Sequence, residues 1–162
     1  MRNNTDVNIF NSPFELGIRM VFLLLEIYPK KMDLHMLSYL DYALIYSGDL
    51  GGPDSLHTPV PLRGGEYLSR KQIIEQGLHL MSHRGFVDIC YNKDGITYYA
   101  GDNASSLIGL MGGVYSHELR KRGKWVSQYF SNHSAKELEV IFDKNGLTWG
   151  AHLLGGDKRG IS

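Results

Sequence analysis

His57 sits in a proline-rich stretch, Gly52-Pro53-Asp54-Ser55-Leu56-His57-Thr58-Pro59-Val60-Pro61, with a serine and an aspartate close by in sequence. A histidine that moves protons in catalysis needs a nucleophile or a carboxylate within hydrogen-bond reach. Neighbours along a loop do not make such an arrangement, because a triad is defined by its geometry in space. The expected task of His57 is a hydrogen bond that anchors its loop. His79 and His83 are four residues apart and share a helix face, which is a zinc-ligand spacing. Beyond Glu75 and Asp88 nothing stands ready to complete the set, and no metal is expected. Cys90, between Ile89 and Tyr91, is the one cysteine in the chain. It excludes an internal disulfide framework and is expected to be a buried, inert thiol. Gly48, Gly51 and Gly52 follow a helix rather than a strand, and no Lys-Ser or Lys-Thr comes after them, so they do not form a phosphate-cradling loop. With no catalytic set, metal or cofactor in view, the chain is read as a protein that is not an enzyme.

Basic residues form the other chemically suggestive group. Arg70 and Lys71 open a predicted helix that Arg84 follows, and Arg120, Lys121, Arg122 and Lys124 form a run in a later one. Arginine and lysine at a helix start suit phosphate and base-edge contacts, and arginine is also a frequent hot spot between proteins. These seven residues are the candidates for contact with DNA or a partner. The whole chain argues against nucleic-acid binding by bulk charge: seventeen basic and seventeen acidic residues leave no net charge, whereas such domains are usually clearly basic.

The elements that would hold these residues are marked by caps. Ser12-Pro13-Phe14-Glu15 is a capping box with proline at the first helical position. It opens a helix to about Tyr28 that is apolar on nearly every face, so it belongs in a core or against a partner. Asp33 caps a second helix, about Leu34 to Tyr46, on which Leu37, Leu40, Leu44 and Ile45 keep helical spacing. Asp49 to Leu68 is too rich in Gly and Pro for helix or central strand and is expected to be an ordered loop. Ser69-Arg70-Lys71-Gln72 reads as a second capping box for a helix from about Arg70 to His83, with Gly85 as its C′ residue. Two β-rich runs, Phe86 to Tyr91 and Ile96 to Ala100, flank Asn92-Lys93-Asp94-Gly95 and predict a hairpin with a primed turn. A fourth helix is expected over about Ala104 to Phe130, with Leu107, Leu110, Met111, Val114, Leu119, Val126 and Phe130 inward and a kink or split at Gly112-Gly113. Ser134-Ala135-Lys136-Glu137 is a third capping box, opening a short final helix.

The expected class is therefore mainly α with a β-hairpin, a winged-helix-like domain with additional C-terminal helices. At 162 residues with 43% hydrophobic composition the chain supports one domain with a real core. The expected organisation is a flexible N-terminus over 1–11, the domain over 12–154 and a flexible tail over 155–162. The longest apolar run, Met20 to Leu25, is far below the ~20 residues needed to cross a bilayer. The N-terminal segment lacks a signal-peptide core, so a cytoplasmic protein is expected. Ten tyrosines, with Tyr28, Tyr39, Tyr42 and Tyr46 at the first two helices, favour a subunit that meets partners, because tyrosine is enriched at interfaces.

One combination of residues carries a resemblance. It runs from Ser12-Pro13-Phe14-Glu15-Leu16-Gly17-Ile18-Arg19 through Met32-Asp33-Leu34, Tyr39-Leu40-Asp41-Tyr42 and Ser47-Gly48-Asp49. Its most specific part is Gly52-Pro53-Asp54-Ser55-Leu56-His57 with Pro59, Pro61 and Arg63. Arg84-Gly85, Asp94-Gly95-Ile96 with Tyr98, and Trp125-Val126 complete it. Over about Ser12 to Trp149 the chain resembles the middle-component family of bacterial ABC-three-component systems, and the small subunit of Lamassu-type anti-phage systems is similar. The resemblance implies a non-catalytic adaptor between an SMC-like ABC ATPase and an effector, often a nuclease, in an anti-phage or anti-plasmid defence complex. DNA contact would then occur within that complex. Asp49, His57, Pro59, Arg63 and Glu66 in the long loop are the expected partner-binding residues. The alternative is a DNA-binding winged-helix regulator that uses the basic residues above.

Overall fold

The computed structural model describes residues 12–57 and 63–154, with the side chains of 63–69 and 145–154 left undescribed. Helix α1 (Pro13–Glu26) starts where its cap predicts: the Glu15 backbone N–H donates to Ser12 Oγ at 3.1 Å. Every residue from Leu16 to Leu24 is buried. An all-round apolar helix has no solvent face to offer, so α1 becomes the axis of the molecule. Other helices and the hairpin pack around it.

Helix α2 (Leu34–Ile45) begins at Asp33, whose carboxylate accepts from the Met36 N–H at 2.7 Å. Its residues Leu37 to Ile45 are all buried, and Tyr39, Tyr42 and Tyr46 are core residues. Only Tyr28 of that quartet is exposed, so tyrosine abundance here reflects internal packing and not a surface for partners. A 3-10 turn (Ser47–Leu50) follows.

The expected loop to Leu68 is shorter than the glycines imply. Helix α3 spans Arg63–Ser82 and takes Gly64-Gly65 into its first turn, so the stretch expected to open it at Ser69 lies inside the helix. Intrinsic propensity is a weak prior, and tertiary packing overrides it. That packing comes from α1. A Cβ on Gly77 would lie 2.6 Å from the Gly17 nitrogen and the Pro13 carbonyl oxygen, and a Cβ on Gly17 would lie 2.8 Å from the Gly77 carbonyl oxygen. The two helices thus cross backbone to backbone. Helix α3 ends at Gly85 (φ 74°), with Gly85 N–H to Ser82 O at 3.2 Å and Phe86 N–H to Met81 O at 3.1 Å. This is the expected left-handed glycine stop in its two-bond form.

Strands β1 (Val87–Asn92) and β2 (Gly95–Ala100) pair antiparallel, with Asn92 opposite Gly95. Met32 adds a bridge to Tyr98 on the outer edge of β2. A primed turn would place Lys93 and Asp94 at positive φ. The positive φ falls on Gly95 alone, at 127°, and Asn92 Oδ1 accepts from the Asp94 N–H at 2.9 Å. Glycine takes the unusual conformation so that its neighbours need not.

The expected fourth helix is split. Helix α4 (Ala104–Leu110) ends at Met111, and α5 (Val114–Ser131) starts after Gly113 at φ 97°. Leu119, Val126 and Phe130 point into the core as expected. Leu110 and Val114 do not, at 87% and 81% exposed; the break rotates the chain and turns both outward. Helix α6 (Ala135–Leu154) has the reciprocal cap predicted for it, Glu137 N–H to Ser134 Oγ at 3.1 Å and Ser134 N–H to Glu137 Oε2 at 3.3 Å. At 20 residues it is not short. It packs on α3, and Phe142 stacks on Tyr39 at 4.4 Å.

The result is mainly α with a β-hairpin, the expected class, and the helix-helix-helix-hairpin-helix order is compatible with a winged helix. Among the described residues no helix is long and apolar enough to cross a membrane.

Candidate functional site

Arg19 is the one charge inside α1, between Glu15 and Glu26 near its ends, and Asp41 is the one carboxylate in α2; the fold brings the two together. Arg19 Nε donates to Asp41 Oδ1 at 2.9 Å and Nη2 to Oδ2 at 3.1 Å, with both residues completely buried. Arg70, from α3, reaches the same carboxylate with Nη1 3.5 Å from Oδ2, and its guanidinium lies 5.6 Å from the Tyr46 ring centroid. Both guanidinium groups share the Asp41 carboxylate, and the Glu15 carboxylate also acts on Arg19. Burial disfavours charge on Arg19, but the forked contact with Asp41 outweighs it and raises its pKa. On Arg70 burial outweighs the longer contact with Asp41, and its pKa is lowered. Both remain cations, because a guanidinium titrates far above neutrality.

Tyr115, from the first turn of α5, joins this cluster to the loop. Its hydroxyl is electrostatically coupled to Glu15 and Arg19 and lies 3.2 Å from His57 Nε2. A phenol has one proton to give, and the direction of its hydrogen bond with His57 Nε2 follows the tautomer of that ring. Burial, then the nearby Glu15 carboxylate, raise the Tyr115 pKa. Burial, then Arg19, push His57 down from 6.5 to about 4, against the attraction of Asp41. Both groups are therefore neutral at physiological pH.

The described part of the loop ahead of His57 is held to the helices by further contacts. Ser47 Oγ donates to the Pro53 carbonyl at 2.7 Å, and Leu56 N–H to the Ile45 carbonyl at 2.8 Å. Arg122 Nε and Nη2 hold the Asp54 carbonyl at 3.0 and 2.6 Å, while its Nη1 pairs with Glu118. Gly52 lies flush against the Trp125 indole, where a side chain has no room. Tyr42 donates its hydroxyl proton to Asp49 at 2.5 Å.

The expected partner-binding residues are thus distributed as follows. Asp49 is exposed on the 3-10 turn, and His57 is half-buried in the cluster. Arg63 and Glu66 lie on the first turns of α3 rather than in a loop, and Pro59 lies outside the described residues. Among the basic candidates, Arg70 and Arg122 are buried and turned inward, which removes them from any contact surface. Arg120 is half-buried and donates to the Ile108 and Met111 carbonyls, closing the end of α4. Lys71 is half-buried; Arg84, Lys121 and Lys124 are exposed. His79 and His83 are exposed on α3, and among the described residues no three His, Cys, Asp or Glu side chains converge on a metal-sized site. Cys90 is half-buried with Lys31 Nζ 3.7 Å from its sulfur. Sequence reasoning missed Arg19, Asp41, Glu15 and Tyr115. The legible signal was the lone charge inside each of two apolar helices, since buried charges come in pairs.

The His57 environment predicts a pH effect on stability. Between pH 6.5 and about 4 the unfolded chain takes up a proton that folded His57 refuses. Acidification through that window therefore favours unfolding, and stability rises with pH across it. Urea midpoints measured from pH 4 to 7 should fall on the acid side. In His57→Gln, which keeps an N–H donor but never charges, that fall should be shallower; an identical pH profile in both proteins would show that His57 does not carry it.

No curated protein and no solved structure matches the chain. The model of the family described as ABC-three component (ABC-3C) system Middle Component 2 matches residues 9–152, a span that takes in α1 and α2, the Pro-rich loop, the ionic cluster and the hairpin. The chain belongs to the Middle Component 2 family of ABC-three component systems.

Proposed function

We propose that this protein is a non-catalytic accessory subunit that bridges an SMC-like ABC ATPase and an effector, a nuclease in many such systems, in a cytoplasmic anti-phage or anti-plasmid defence complex of Lamassu type. The observation that carries the reading is the inward direction of its chemistry. The described side chains suited to catalysis, His57, Tyr115, Arg19, Asp41 and Arg70, hydrogen-bond and pair with one another and fix the loop to the helical body. A loop ordered before it meets a partner loses little entropy on binding. Asp49, Pro59, Arg63 and Glu66 are proposed to line the partner-facing side of this segment, with His57 anchoring it to the cluster.

The test is affinity purification of the tagged chain co-expressed with the other components of its system, with nuclease added, followed by mass measurement of the complex. The expected outcome is an assembly with the ATPase and a further subunit that survives nuclease and moderate salt. Arg63→Ala with Glu66→Ala should weaken that assembly, and the thermal midpoint of the free variant, measured alongside, separates a lost contact from lost folding. Wild-type chain recovered alone would overturn the adaptor reading. Recovery only through nucleic acid, with affinity falling steeply in salt as phosphate contacts require, would replace it by the DNA-binding regulator.

A further inference from the structure

The run Arg120-Lys121-Arg122-Gly123-Lys124 is a single basic block in sequence, and the fold divides it. Arg120 and Arg122 turn inward to carbonyl groups and to Glu118. The exposed residues of α5 are Val114, His117, Lys121, Lys124, Gln128 and Ser131. Their spacing alternates three and four residues, so they form one stripe along the helix. None of the six is acidic. At the N-terminal end of the stripe stand the two most exposed large hydrophobic side chains among the described residues, Leu110 at 87% and Val114 at 81%. From Ala104 to Ser116 the chain carries no charged residue at all, and around Gly109, Gly112 and Gly113 a side chain would meet nothing.

We infer that this stripe of α5, with Leu110, docks an acidic amphipathic helix of a partner subunit. The inference rests on the adaptor reading above. The apolar end would seat that helix's hydrophobic residues, and Lys121 and Lys124 would face carboxylates one helical turn apart. The length fits a helix pair: the 18 residues of α5 extend about 27 Å at ~1.5 Å per residue. Charge-depleted apolar centres with a charged rim are the usual anatomy of protein interfaces. A duplex backbone is the poorer match. Inward-facing Arg120 and Arg122 leave two lysines on the stripe, against the ~6–10 phosphate contacts typical of strong electrostatic binding, and phosphates give an exposed leucine and valine nothing to bury against. An anionic membrane surface fits no better, because interfacial helices flank their apolar face with many basic residues.

The test uses the co-expressed assembly. With a photoreactive group at the site of Val114 (Val114→p-benzoylphenylalanine), irradiation should link the chain to a helical segment of a partner subunit that carries carboxylates at three- or four-residue spacing. The combined variant Leu110→Ser, Val114→Ser, Lys121→Glu, Lys124→Glu changes only exposed positions and should keep the thermal midpoint of the free chain. Its affinity for that subunit should fall at least about tenfold. A cross-link to nucleic acid or to a second copy of this chain, or no cross-link, would overturn the proposal, as would an affinity within about twofold of wild type. An assembly that still forms with the combined variant would remove this surface and leave the adaptor reading standing. Wild-type chain that binds no partner subunit would remove both.

Discussion

Asp41→Ala is expected to lower the stability of this protein by about 3–5 kcal/mol, the usual cost of removing one member of a buried ion pair. The wild-type carboxylate faces Arg19, completely buried and held through two hydrogen bonds, and Arg70, 5% exposed. Alanine would leave two guanidinium groups in the interior without their shared counter-charge, and neither can lose its proton at any ordinary pH. Against a typical stability of roughly 5–15 kcal/mol, such a loss leaves a large unfolded fraction. Urea unfolding followed by circular dichroism measures it directly. A second variant separates the ionic cause from simple loss of packing. Replacing the trio together, Arg19→Met, Asp41→Leu and Arg70→Met, removes all three charges and should be less destabilised than Asp41→Ala alone. If Asp41→Ala proves as stable as wild type, the cluster does not hold α1, α2 and α3 together.

Gly77→Ala should cost about 2–3 kcal/mol, and Gly17→Ala a similar amount, the range for overpacking a filled interior. The sign is the point of interest. Both glycines lie in helices, where alanine is intrinsically favoured by about 1 kcal/mol. A methyl group on Gly77 would meet backbone atoms of Pro13 and Gly17 at 2.6 Å, and backbone cannot rotate away as a side chain tip can. The crossing of α1 and α3 must then open and give up contacts along its length. Gly109→Ala is the control. It is also helical, and an added methyl there meets nothing within 4 Å, so it should be neutral or stabilising by up to about 1 kcal/mol. Thermal midpoints of the three variants rank them. Equal effects at Gly77 and Gly109 would show that propensity, and not the close crossing, governs both positions.

Local signals in the sequence were read well where the chain's own atoms decide the outcome. The caps at Ser12, Asp33 and Ser134, the glycine stop at Gly85, the hairpin from Val87 to Ala100 and the break at Gly112-Gly113 all depend on groups a few residues apart. The burial of α1 followed from its apolar composition alone. The start of α3 was misplaced because Gly64 and Gly65 weaken a helix locally, while packing of that helix on α1 is a distant effect. Leu110 and Val114 were assigned to the core because a continuous helix would carry them there. Gly113, at φ 97°, ends that continuity and turns them out.

By itself, then, the sequence determined the class of fold, the capped elements and the absence of net charge, and its residue combination pointed to the middle-component family. Only the tertiary structure decided what the charged residues do. Arg70, Arg120 and Arg122 are indistinguishable in sequence from Lys121 and Lys124, yet the first three face inward and the last two outward. Arg19, Asp41 and Tyr115 come from three different helices and acquire a role only where those helices meet. The reason is physical: a cap is fixed by covalent proximity, whereas the fate of a charge depends on whether folding brings it a partner that offsets its desolvation.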